Sequence, residues 1–278
     1  MSKVILLIII SLFAVEGTHS QEIREAAEIG NFKEAADFAI SSLGVIYISD
    51  LNANEIIAMD TLGKETGRIG GYGWNNSALS EPVCLTISGL NVIVTDRTNK
   101  SVKLFDKNLN FISEIKSAGE IYFDDPVAAA ANSKGDIYIL DRGEKKIIRM
   151  NSVGGSVSEF GGYGDGEFSL NNPSSLRLCR YNLVYCLDGE KIKVFDEFGN
   201  GIKILSQEAG YSSINTSEDF VTLTSSSDVL VFANPDTSPF SIVLNSGEID
   251  VNAVSSLIYQ GKFYVLTKTS IKIFENWR

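Results

Sequence analysis

Four aspartates end short β-branched or aromatic runs at nearly equal steps: Asp50 after VIYIS, Asp96 after NVIVT, Asp141 after DIYIL and Asp188 after LVYCL. Carboxylates repeated every 46, 45 and 47 residues could be drawn into one ring, able to hold Ca²⁺ or a basic ligand. The structural alternative is that each Asp caps its own turn by accepting backbone N–H bonds. Arg97 and Arg142 each follow one of these aspartates. They could grip a ligand carboxylate or pair with the neighbouring Asp. Two acid pairs, Asp124 with Asp125 and Asp165 with Glu167, have the composition used in glycoside cleavage, but both lie in polar loops.

Aromatic residues form a second group. The segments IGGYGWNNSALSEP (69–82) and FGGYGDGEFSLNNP (160–173) repeat one pattern 91 residues apart. Tyr72, Trp74, Tyr163 and Phe168 could line a rim for a sugar, a peptide or a partner surface. Alternatively the glycines serve unusual backbone angles while the aromatics pack between neighbouring units. Of the four, Trp74 is the stronger binding candidate, because the second segment has Asp165 in its place.

What is scarce narrows the chemistry further. The 278 residues include one histidine, His19, and three cysteines. Lys3, the uncharged run Val4 to Val15, and the small residues Thr18 and Ser20 read as a cleaved secretory signal. The run is shorter than the roughly 20 residues needed to cross a bilayer. Cleavage after Ser20 would leave 258 residues without histidine, in a secreted or periplasmic protein. The net charge of -11 argues against nucleic acid or an anionic lipid surface as partner. Cys179 and Cys186 flank a hairpin turn as diagonal neighbours, ~7–8 Å apart at Cα, beyond comfortable disulfide geometry. With Cys84 they are expected as buried free thiols. Asn75, Asn99 and Asn215 open Asn-x-Ser/Thr triplets, which matter only in a eukaryotic secretory pathway.

The elements that must position these residues recur. After each first run comes a second, ending at Asp60, Asp106, Asn151, Asp196, Asn245 and Glu275. Weaker first runs end at Asn234 and Thr267. With one run before and one after each pair, as in 83–88 and 111–116, the unit is four short antiparallel strands near a 45-residue period. That is the signature of a propeller blade, and six can be counted. The expectation is an all-β, six-bladed propeller over 21–278, preceded by the leader 1–20. The sixth copy stops after its third strand. The stretch from Glu22 is expected to supply the fourth, joining the chain ends and removing an open sheet edge. A short helix over 22–36 is the competing form, because REAAEIGNFKEAADF contains good helix formers.

The repeat resembles that of the NHL family of six-bladed propellers. In the second copy the resemblance runs from Pro82 through Asp96 and Thr98-Asn99-Lys100 to Val102-Lys103-Leu104-Phe105-Asp106, and it includes the two glycine-rich closing loops. The resemblance implies the propeller fold. It carries over no catalytic set: Ala53 and Glu144 stand where the family's Asn would be, and the histidines of propeller lyases have no counterpart in the mature chain.

These readings lead to an exported, non-catalytic and monomeric binding or scaffold propeller without a cofactor. It would contact a protein or carbohydrate through the face carrying Tyr72, Trp74, Arg97, Arg142, Tyr163 and Phe168. The alternative is a Ca²⁺-dependent, carboxylate-based hydrolase, a lactonase or glycan-cleaving enzyme, with its site at the channel mouth. That alternative requires several acids to converge on one pocket.

Overall fold

The computed structural model describes residues 5–7, 22–152, 157–164, 166–179, 181–206, 210–217, 220–232, 240–243 and 251–275. These form an all-β propeller of six four-stranded antiparallel blades. Of the leader, only the short strand Ile5–Leu7 is described, paired with the start of Glu22–Ile29. The remaining leader residues, including His19, lie outside the described residues, as does Asp165.

Blades 1 to 5 follow chain order, with inner strands Ala35–Ile40, Pro82–Ser88, Pro126–Ala131, Pro173–Leu178 and Ser213–Ser217. Blade 6 takes Ser255–Tyr259, Lys262–Leu266 and Ile271–Glu275 from the end of the chain and Glu22–Ile29 from its beginning. The segment after Glu22 is therefore a strand, hydrogen-bonded from Arg24↔Glu275 to Ile29↔Ile271. Its helix formers are overridden by a free sheet edge that this segment alone is placed to cover. The inner strands contact one another in sequence, and the sixth contacts the first, so the ring is closed. A two-stranded hairpin, Ser117–Ala118 with Ile121–Tyr122, is inserted between blades 2 and 3.

Alternation along each strand sends apolar residues into the layers between blades. Phe38, Ile46, Ile48 and Leu266 fill the layer between blades 6 and 1, and Tyr47, Leu85, Val94 and Phe105 fill that between blades 1 and 2. Two buried tyrosines keep their hydroxyls bonded: Tyr47 donates to the Lys107 carbonyl at 2.6 Å and Tyr138 to that of Glu197 at 2.8 Å.

The fifth blade departs from the pattern expected of it. Its second strand is Phe220–Thr224, followed by Asp228–Phe232 as third and Phe240–Val243 as fourth. The runs before Asn234 and Asn245, expected to be the second and third strands, are thus each one strand later. The second strand of this blade ends in Thr224-Ser225 rather than Asp, so the next hydrophobic run matched the repeat better. The three cysteines are free, with Cys84 and Cys186 buried and Cys179 half-buried.

Candidate functional site

Strand pairing separates the sequence candidates from the channel cavity. Asp50, Asp96, Asp141 and Asp188 pair with Ala35, Pro82, Pro126 and Pro173, the first residues of their inner strands. They therefore lie at the end of the channel where those strands begin, here called the upper face. Each is committed to its own blade. Asp50 accepts the N–H groups of Lys33 and Glu34 at 2.7 and 2.9 Å. Asp96 accepts those of Ser80 and Glu81 and the Asn99 amide. Asp141 accepts from Asp124 and Asp125, and Asp188 from Asn171 and Asn172. The carboxylates thus brace the loop that enters each inner strand. Among the described residues, no three His, Cys, Asp or Glu side chains come together to hold a metal ion. This donor set does not fit a shared Ca²⁺, and no chemical step is derived through one.

The two glycine-rich loops sit on the same face, and each is clamped by a buried lysine from the third strand of the following blade. Lys103 donates to the carbonyls of Ala78 and Asn76, and Lys193 to that of Ser169 while it pairs with Asp188 at 2.7 Å. Tyr72, Trp74 and Tyr163 are exposed, and Lys145 stands 4.6 Å from the centre of the Tyr163 ring. Phe168 is part-buried, its ring centre 5.7 Å from that of Phe195. Arg97 and Arg142 do not pair with the aspartates they follow. Both converge on Asp125, Arg97 at 2.7 Å and Arg142 at 2.8 Å, and Arg97 also reaches Glu81. Burial pushes the Asp125 carboxyl up, but hydrogen bonds from the two guanidinium groups outweigh it and hold the group below its ordinary range.

The opposite mouth of the channel is built from the C-terminal ends of all six inner strands. They enclose a cavity of about 360 Å³ lined by aliphatic and polar residues alike, with Thr86, Arg177, Asn215 and Thr216 among its polar groups. Arg177 and Asp37 come from blades 4 and 1, opposite each other in a ring of six. Their ion pair, 2.5 Å long with both side chains 4% exposed, therefore crosses the channel axis. Asp37 also accepts the N–H groups of Phe38 and Leu85 at 3.0 and 2.9 Å. Arg177 donates to the Cys84 sulfur and the Leu176 carbonyl, while its buried Nε has no hydrogen-bond partner. Burial alone would push the guanidinium down, but Asp37 and Cys84 hold it above its ordinary range, so it stays charged. Burial raises the Cys84 thiol to about 11. Asn215 spans blades 5 and 1, its amide donating to the Phe38 carbonyl at 2.9 Å. It is buried, so its side chain is a channel group rather than an exposed acceptor.

Sequence reasoning passed over Asp37, Arg177 and the channel role of Asn215. A signal was present. The inner strands of blades 1 to 4 share a register shift after their first residue. Aligned on it, Asp37 corresponds to Cys84, Ala128 and Ser175, and Arg177 to Ala39, Thr86 and Ala130. A charge at a small-residue position of an inner strand is costly unless paired, so two such charges on different blades implied each other.

No family model matches the chain, and no curated protein matches it in sequence. Solved structures do. Virginiamycin B lyase from Staphylococcus aureus matches with a TM-score of 0.64 at 12% identity, over 89% of this chain and 98% of that one. A catalytically inactive histidine-to-alanine variant of that lyase, with quinupristin, matches at 0.61 and 13% identity, over 90% and 98%. A gluconolactonase from Xanthomonas campestris matches at 0.70 and 9% identity, over 97% of both chains. At these identities the likeness is one of fold. It corrects the expectation of a non-catalytic protein, because these propellers are enzymes. That expectation rested on the absence of histidine, of a nucleophile motif and of metal-ligand spacing.

Proposed function

We propose that the chain is an exported propeller hydrolase or lyase that opens an ester bond in a ring-shaped substrate at the channel mouth bordered by Arg177. One observation carries the reading: a charged guanidinium, held across the channel by Asp37 and short of one acceptor, borders the channel-mouth cavity. A fixed cation of this kind stabilises the negative charge that develops on a carbonyl oxygen as an ester opens, and it acts most strongly where water is excluded. Asp37 keeps that cation oriented. Thr86, Asn215 and Thr216 offer hydrogen bonds to the rest of the substrate. The fold likeness to a lactonase and to a lyase of virginiamycin B supports the substrate class. The leader at 1–20 supports export, and the NHL-like spacing of Pro82, Asp96 and Asn99 supports kinship with that repeat family.

The test is a rate measurement on simple lactones and on a macrocyclic ester peptide, with the parent chain and with Arg177→Gln. Removing one such donor costs roughly 10²–10³ in rate in comparable sites, and a loss of that size is expected. Absence of turnover across both substrate types would overturn the reading.

A further inference from the structure

The channel-mouth cavity does not end at the ring axis. It shares Ser41, Ser42, Ile87 and Gly89 with a side groove of about 170 Å³ that runs out between blades 1 and 2. The groove is walled by Leu43, Val45, Tyr47, Leu90 and Val92. Among the described residues its one charged lining residue is Lys107, whose carbonyl is taken by the Tyr47 hydroxyl. Leu43 and Leu90 are exposed, 66% and 62%, on the hairpin turns that follow the inner strands of these two blades. The corresponding turns of blades 3, 4 and 6 carry Ser133-Lys134, Tyr181-Asn182 and Gln260-Gly261. Among the described turns that follow an inner strand, an exposed leucine occurs at the two where the groove opens; blade 4 presents Tyr181 instead, and Leu62 is exposed on a different hairpin turn of blade 1.

The charge of the site points the same way. Among the described residues Arg177 is the one ionised residue lining the central cavity, and Asp37 neutralises it. The site therefore offers no net attraction to an anion.

We infer that the substrate is an uncharged ring ester carrying an aliphatic arm, the ring lying against Arg177 and the arm in the groove between Leu43 and Leu90. This rests on the ester-opening reading above and narrows it to a substrate class.

Calorimetric titration with δ-valerolactone, δ-decalactone and D-glucono-δ-lactone separates the possibilities. Each methylene buried strengthens binding about fourfold. The five-carbon arm of decalactone is therefore expected to gain about 50-fold or more over valerolactone, allowing for incomplete burial. The double variant Leu43→Asp/Leu90→Asp, altered at two exposed turns, is expected to lose most of that gain and to bind valerolactone as before. An arm worth less than about threefold, gluconolactone binding as tightly as decalactone, or a gain untouched by the double variant would each overturn the inference. Turnover measured alongside keeps the two proposals apart. Arm-dependent binding without turnover keeps the ligand class and its placement in the groove but sinks the enzymatic reading, while turnover indifferent to the arm keeps the enzymatic reading and overturns the arm.

Discussion

The two ends of the channel use the same kinds of residue for opposite purposes. At the upper face, Asp50, Asp96, Asp141 and Asp188 recur at one place in four blades, and each is spent on the loop entering its own blade. At the lower mouth, Asp37 and Arg177 each occur once, and their bond joins opposite blades beside a cavity. Repetition marks what every blade needs in order to fold. Departure from repetition marks what the assembled ring alone can use.

The largest effect expected from this contrast is on stability. Arg177→Ala leaves Asp37 buried and unpaired, and breaking a buried pair on one side costs about 3–5 kcal/mol. Chemical denaturation should show that loss and should show much of it restored in Asp37→Leu/Arg177→Met, which removes both charges. If the single and double variants are equally unstable, the pair is not what holds the channel.

Next comes the upper face. Asp96→Ala leaves the Ser80 and Glu81 N–H groups without their acceptor, and an unsatisfied buried group costs about 1–3 kcal/mol. The expected outcome is a lower melting temperature with lactone turnover unchanged. A loss of turnover in the still-folded variant would return chemistry to the upper carboxylates.

A smaller effect concerns pH. Asp125 is held below its ordinary range by Arg97 and Arg142, so its folded value lies under the unfolded one of about 3.9. Its stabilisation is present above the unfolded value and is lost as pH falls through the folded one. Melting temperature followed from pH 7 to 2.5 should therefore fall less steeply below about pH 4 in Asp125→Asn than in the parent. Identical curves would show that the two arginines contribute nothing through Asp125.

The smallest effect is at the exposed aromatics. Trp74→Ala and Tyr72→Ala should each shift stability by less than about 0.5 kcal/mol, as surface substitutions generally do. A melting temperature lower by several degrees would place these rings in the packing between blades.

The fold was legible in the sequence because a blade is local. Strand, Asp and turn follow one another within ten residues, and a count of periods finds the ring. Blade 5 was misread where Thr224-Ser225 replaces the Asp that marks the second strand elsewhere. The strand at Glu22–Ile29 was found by matching it to Glu114, its counterpart in another copy. The candidate site resisted the same reading. Arg177 and Asp37 lie 140 residues apart, and only ring closure makes blades 1 and 4 face each other. The aspartates that caught attention first do so because they repeat, and that repetition reflects turn capping.

The most direct test of the account is the lactone turnover rate of Arg177→Gln beside that of the upper-face double variant Tyr72→Ala/Trp74→Ala, both assayed well below their melting temperatures. The account predicts a loss of roughly 10²-fold or more in the first and parent-like turnover in the second. Parent-like turnover in Arg177→Gln, with loss in the upper-face variant, would contradict it.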